Sequence, residues 1–135
     1  MNNIKVYIVR ESDGTYSSYM DEKAGLPYGL VGEGSTVAEA IGEWRRAYED
    51  MRELFAEEGR EFVEATFTFA YDVPSFLLYY AGKLTYAGLA KLTGVSAAQL
   101  SQYANGYRNP SRKTTEKIQT ALNAFGQELS GLQLI

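Results

Sequence analysis

From Val73 the hydrophobic period of this chain becomes helical and stays so, and that change limits the folds open to it. Upstream, two stretches alternate with period two. In Ile4 to Arg10, Ile4, Val6 and Ile8 fall on one side and Lys5, Tyr7 and Val9 on the other. In Glu61 to Tyr71, Phe67, Phe69 and Tyr71 oppose Thr66, Thr68 and Ala70. Downstream of Val73 the apolar residues recur only at steps of three and four. Strands confined to the first part and helices filling the second define an α+β chain. Its 135 residues accommodate two small modules, with the division expected between 1–71 and 72–135.

Within the first part, Ser12-Asp13-Gly14 is turn chemistry, so the first strand enters a hairpin whose return is Tyr16 to Met20. Asp21 to Gly34 holds Gly25, Gly29, Gly32 and Gly34, which predicts an irregular loop with a short strand at Tyr28 to Val31. A capping box follows at Thr36-Val37-Ala38-Glu39, where the Thr36 hydroxyl accepts from the Glu39 amide and the Glu39 carboxylate reaches back to Thr36. Behind it Val37, Ala40, Ile41, Trp44, Tyr48, Met51, Leu54 and Phe55 form one stripe of a helix that Gly59 ends. The expected order is β-β-(short β)-α-β.

The second part reads as four short helices. Pro74 suits a first turn and Ser75 to Ala81 a short helix broken by Gly82. Thr85 caps a helix ending at Gly94, Ser96 caps one ending near Gly106, and Pro110-Ser111 opens a longer helix with Ile118, Ala121, Leu122, Phe125 and Leu129 at core spacing. The tail from Gly131 to Ile135 is apolar and suited to pairing as a strand.

Composition excludes whole classes of chemistry. There is no cysteine and no histidine, so thiolate nucleophiles, histidine-based triads, cysteine or histidine zinc sites and disulfide frameworks are absent. Metal-dependent phosphodiester cleavage needs several converging carboxylates, and Ile4 to Val9 carries none. Gly29, Gly32 and Gly34 before a helix mimic a phosphate loop without the lysine it requires. No enzyme activity and no cofactor or metal are expected. Apolar runs fall far short of the roughly 18 residues that span a bilayer, and residues 1–20 lack a basic start followed by an apolar run, so no membrane partner and a cytoplasmic location are expected.

The net charge of −4 hides a segregation. Up to Ala81 there are seven basic and fifteen acidic residues, a net of −8; from Gly82 there are six and two, a net of +4. Between Lys83 and Lys117 the only acid is Glu116, against Lys83, Lys91, Arg108, Arg112, Lys113 and Lys117. In the same stretch Thr85 to Tyr103 has helix-turn-helix spacing: Leu89 supplies core, Ala90 is small where the helices meet, Gly94 permits a left-handed turn, and Val95 and Leu100 are apolar where they pack. A basic patch around such a motif points to DNA. The second helix then enters the major groove with Ala97, Ala98, Gln99, Ser101 and Gln102 outward. A glutamine amide pairs bidentately with an adenine edge, so Gln99 and Gln102 are the expected base readers, while Ala97 and Ala98 meet thymine methyls. Thr85, Tyr86, Lys91, Asn105, Tyr107, Arg108, Arg112 and Lys113, at helix starts and in the following loop, are the expected phosphate contacts.

Thr85 to Ser111, TYAGLAKLTGVSAAQLSQYANGYRNPS, resembles the Cro/repressor-type helix-turn-helix, including the ending Gly106, Arg108, Pro110, Ser111. Upstream, Asp13-Gly14-Thr15-Tyr16, the glycine loop, GSTVAEAI at Gly34 to Ile41 and AYDVPSFLLYY at Ala70 to Tyr80 resemble HicB-family antitoxins of type II toxin-antitoxin systems. EKAGLPYGLV at Glu22 to Val31 departs from the Pro-Gly-Cys-type segment many members carry. The resemblance implies a partial ribonuclease-H-like first domain that holds a HicA-type mRNA-cleaving toxin, and a second domain that represses the toxin-antitoxin operon. An anionic domain competes with RNA for a basic toxin, and Glu11, Asp13, Asp21 and Glu22 near the hairpin are the candidate toxin-facing acids. Two half-sites one helical turn apart call for a homodimer through the C-terminal domain, with Leu122, Phe125, Leu129 and Leu132 to Ile135 as its surface. Two rival readings are a stand-alone transcriptional regulator whose first domain binds a small ligand, and an interaction module without DNA binding.

Overall fold

Ile4, Val6 and Ile8 are buried on one side of the first strand, β1 (Asn2–Arg10), as the alternation predicts. In the computed structural model, which describes residues 2–135, β1 is followed by β2 (Tyr16–Met20), a 3-10 turn (Glu22–Ala24), β3 (Val31–Gly34), α1 (Val37–Glu57), β4 (Ala65–Tyr71) and α2 (Val73–Tyr79). Then come α3 (Tyr86–Thr93), α4 (Ala97–Ala104) and α5 (Arg112–Gly131). The chain is α+β, a four-stranded mixed sheet followed by helices. The compact units divide at Tyr79/Tyr80.

The sheet order is β3-β2-β1-β4, with β1 antiparallel to β2, β2 antiparallel to β3 and β1 parallel to β4. Parallel strands need a long crossover, and α1 supplies it across one face. Its stripe Val37, Ala40, Ile41, Trp44, Tyr48 and Phe55 is buried, Met51 is half-buried, and Leu54 departs from the expected stripe by staying exposed. The Phe67 ring packs edge-on between Trp44 and Tyr48, at centroid distances of 5.5 and 5.0 Å. The cap of α1 differs in one detail from the expected box. Thr36 Oγ1 accepts from Glu39 N at 3.1 Å, but the Glu39 carboxylate accepts from the backbone and hydroxyl of Ser35, at 2.7 and 2.8 Å.

The glycine loop is where structure and sequence part. The strand expected at Tyr28 to Val31 begins only at Val31, because Tyr28 and Leu30 leave an irregular backbone to bury their side chains in the core. The Tyr28 ring stacks on Phe62 at 5.2 Å and its hydroxyl donates to Val63 O at 2.6 Å. Gly32 lies inside β3, where a Cβ would come within 2.6 Å of Ala40 O and 2.9 Å of Trp44 N; the glycine lets the strand meet the backbone of α1. Beside it the buried Ser18 hydroxyl donates to Ala40 O at 2.9 Å.

The first unit runs past residue 71, the division expected from the sequence, because Asp72 ties α2 to β1. One Asp72 carboxylate oxygen accepts from Arg10 N at 2.8 Å, the other from Ser75 N at 2.9 Å, and Asp72 N donates to Ile8 O at 3.0 Å. The helix expected at Ser75 to Ala81 accordingly spans Val73–Tyr79, burying Val73, Ser75 and Leu77. In the second unit α5 runs to Gly131, and Leu132 to Ile135 is exposed chain outside any helix or strand. No helix among the described residues is long and apolar enough to cross a membrane.

Candidate nucleic-acid interface

Short helices do not form alone, so each helix of the second unit depends on its ends. Thr85 Oγ1 accepts from Gly88 N at 3.0 Å, Ser96 Oγ from Gln99 N at 3.1 Å and Ser111 Oγ from Thr114 N at 3.1 Å, each satisfying an N-terminal donor. Between α3 and α4 the chain turns in three residues. Gly94 takes φ 78°, the left-handed region that excludes most side chains, and its N–H donates to Ala90 O at 2.9 Å. The buried Thr93 hydroxyl locks the turn by donating to Leu89 O at 2.7 Å and accepting from Val95 N at 3.0 Å. Leu89, Val95, Leu100, Tyr103, Ala104 and Ile118 fill the core between α3, α4 and α5.

That packing decides which side of α4 faces out. Leu100, Tyr103 and Ala104 point inward, so the helical period puts Ala98, Ser101, Gln102 and the capping Asn105 on the opposite side. Ala97, Ala98 and Gln102 are exposed, while Gln99 and Ser101 are half-exposed. Gln102 is centred on the outward face. Gln99 lies at its flank, with its Oε1 3.5 Å from Ser96 Oγ.

Of the expected phosphate contacts, Thr85, Lys91, Asn105, Tyr107, Arg108, Arg112 and Lys113 are exposed and Tyr86 is half-exposed. Tyr107 is 84% exposed, which sets it apart from the buried Tyr103 four residues earlier. Arg112 differs from the other cations because its Nε is 3.2 Å from Glu116 Oε1. Lys117, basic in the sequence but without an assigned role, lies against the turn itself: a Cβ on Gly94 would be 3.2 Å from its Nζ. Only the tertiary approach of α5 to α3 brings that ammonium there.

The candidate acids of the first unit fall into two places. Glu11 and Asp13 line a hollow of about 630 Å³ at the β1–β2 turn, whereas Asp21 and Glu22 line another of about 540 Å³ beside the glycine loop. All four are exposed. Hydrogen bonds from the Thr15 hydroxyl, at 2.6 Å, and the Thr15 amide, at 2.9 Å, hold the Asp13 carboxyl below the usual carboxylate range. Asp21 accepts from Lys23 N at 2.9 Å and so caps the 3-10 turn. The first hollow contains a further acid, Glu33, which the sequence alone does not single out because its strand is only four residues long and lies between glycines.

Residues 81–124, about a third of the chain, match the helix-turn-helix family model. Neither the curated proteins nor the solved structures give a match. The matched segment spans the capped pair α3 and α4, their three-residue turn and the first part of α5. The second unit therefore carries a DNA-binding helix-turn-helix of the kind found in transcriptional regulators.

Proposed function

We propose that this chain is an antitoxin of the HicB type, without catalytic activity of its own, that neutralises a small basic mRNA-cleaving toxin and represses its own operon. The observation that carries the reading is the division of labour. A cationic helix-turn-helix unit is joined to a separate sheet unit of opposite charge whose hairpin-side carboxylates are exposed. The DNA half assigns Gln102 and Gln99 to base edges, with Ala97, Ala98 and Ser101 beside them, and the exposed cations and Tyr107 to phosphates. Dimerisation through α5 gives two reading heads. Support for it comes from its distal half, where Leu122 and Phe125 are half-buried and Leu129 is 52% exposed beyond the last fully buried residue, Ile118.

Two measurements test this. Co-expression with the product of the neighbouring short open reading frame should restore growth and yield a complex; absence of both would remove the antitoxin half. Titrating operator DNA against salt tests the other half. Gln102→Ala should lose about 1 to 3 kcal/mol at the specific site and leave nonspecific binding unchanged, whereas Lys113→Ala should weaken all DNA and lower the salt slope by about one. A second reading, a regulator that senses a small ligand, is favoured by a hollow of about 410 Å³ in the first unit, lined by Tyr16, Val37, Leu78 and Tyr79 among others and of a size that holds small molecules. A metabolite that raised the melting temperature of the full chain and changed its operator affinity would select that reading.

A further inference from the structure

One face of the sheet is buried under α1; on the other, Lys5, Tyr19, Val31, Glu33 and Thr68 are exposed, and its composition is unusual for an open face. The register places Val31, Tyr19, Tyr7 and Ala70 in one row across β3, β2, β1 and β4. Polar residues are the normal covering of such a face, and the rows toward the start of β1 obey this with Lys5 beside Thr68 and Asn3 beside Thr66. The Val31 row does not. Val31 is 71% and Tyr19 43% exposed, and the Tyr19 and Tyr7 rings stack at 5.4 Å with 28° between their planes. Lys5 Nζ lies 5.7 Å from the centre of the Tyr7 ring and closes the stripe on that side.

Stacked tyrosines offer a large, pre-ordered contact area at little entropic cost, which is why they anchor interfaces. The charge around the stripe says what it suits. Glu33 follows Val31 by two residues on the same side of β3 and pairs in register with Ser17, and both line the hollow that holds Glu11 and Asp13. At the other end Tyr19 and Val31 border the hollow that holds Asp21 and Glu22. Among the described residues none of these five carboxylates is in a salt bridge, although Arg10, Lys23 and Lys5 lie in the same region.

We infer that the open sheet face, with Tyr19, Tyr7 and Val31 as its apolar centre and Glu33 with its neighbouring carboxylates as its rim, is the docking surface for the basic face of a protein partner. The inference rests on the reading that the first unit holds such a partner, and it names where. Stacked rings also suit unpaired bases, but five unpaired carboxylates around them repel a phosphate backbone.

The test titrates the full chain with the purified product of the neighbouring short open reading frame, and separately with single-stranded oligouridylate RNA. Tyr19→Ala should weaken the protein complex about tenfold or more, as loss of a central aromatic anchor does. Glu33→Lys, on an exposed strand position that does not disturb the core, should lower the association rate and its salt dependence. Asp50→Ala, exposed on α1, should change neither, and all three variants should keep the parent's cooperative urea unfolding followed at Trp44, which reports that the sheet unit is folded. A complex that survives both Tyr19→Ala and Glu33→Lys overturns this surface and leaves the partner-binding reading standing. No complex with the parent chain overturns both. RNA binding that Tyr19→Ala abolishes would make the stripe a base-stacking platform and likewise overturn the proposal.

Discussion

The two units of this chain are built by different means. The sheet unit is held by contacts between residues far apart in sequence: β1 against β4 across some sixty positions, Ser18 on Ala40, and a run of edge-on and stacked rings from Trp44 to Phe62. The helical unit is held by local devices, a capping hydroxyl at the start of α3, α4 and α5 and a left-handed glycine at the turn, around a core of a few side chains. A domain of the first kind fails where backbones touch. One of the second kind fails where its few core residues are cut, because a unit so small has little stability to lose.

The largest effect follows from that contrast. Leu100 is fully buried between α3 and α4, and Leu100→Ala should cost about 2 to 5 kcal/mol, enough to unfold the helical unit and abolish operator binding. Trp44 is the only tryptophan and lies in the core of the sheet unit, so its fluorescence transition should be preserved while helical ellipticity falls. A Trp44 transition that shifted equally would mean that the two units unfold as one.

Glycine to alanine sharpens the comparison, since one substitution should have opposite signs in the two units. At Gly32 a Cβ meets the backbone of α1, which cannot give way without moving the helix from the sheet, so Gly32→Ala should destabilise by about 3 kcal/mol in urea unfolding followed at Trp44. At Gly126, inside α5, a Cβ meets nothing within 4 Å, so Gly126→Ala should stabilise the helical unit by about 1 kcal/mol. Between these in kind lie the caps. Ser96→Ala removes the acceptor for Gln99 N and should cost about 1 kcal/mol, read as lower melting of the helical unit and weaker operator binding through a frayed start of α4.

The same contrast explains what was legible in the sequence. Thr36, Thr85, Ser96 and Ser111 cap the helices expected of them because a cap is decided within four residues. The outward face of α4 was legible for the same reason: the period of Leu100, Tyr103 and Ala104 leaves Gln102 opposite. What escaped is what depends on distance along the chain. β3 was placed too early because its glycines carry no period, and they are there to meet α1, which only the fold reveals. The tie between α2 and β1 is equally hidden, because the Asp72 to Arg10 hydrogen bond spans 62 positions. Glu33 and the pairing of Tyr7 with Tyr19 require a strand register, and Lys117 over Gly94 requires the approach of two helices.

pH also separates the two units. Tyr28 is buried where the glycine loop crosses the aromatic cluster; burial, and after it the neighbouring Tyr48, pushes its pKa up to about 12 from a usual 10. The folded state therefore holds that proton more tightly than the unfolded chain. The contribution is fully present below pH 10, declines once the unfolded chain begins to ionise, and is lost as the pH passes through the folded value. Tyr28→Phe removes the hydroxyl and its hydrogen bond to Val63 O, so it should cost about 1 kcal/mol at pH 7 in Trp44-detected unfolding. Above pH 10 the parent should weaken faster than the variant, so the two curves should meet and then cross below pH 12, because a pKa raised by about two outweighs the difference of about 1 kcal/mol at pH 7, while the melting of the helical unit, which lacks this residue, should differ between them at no pH. Curves that remain parallel up to pH 12 would mean that Tyr28 ionises alike in both states, and that the loop does not shield it.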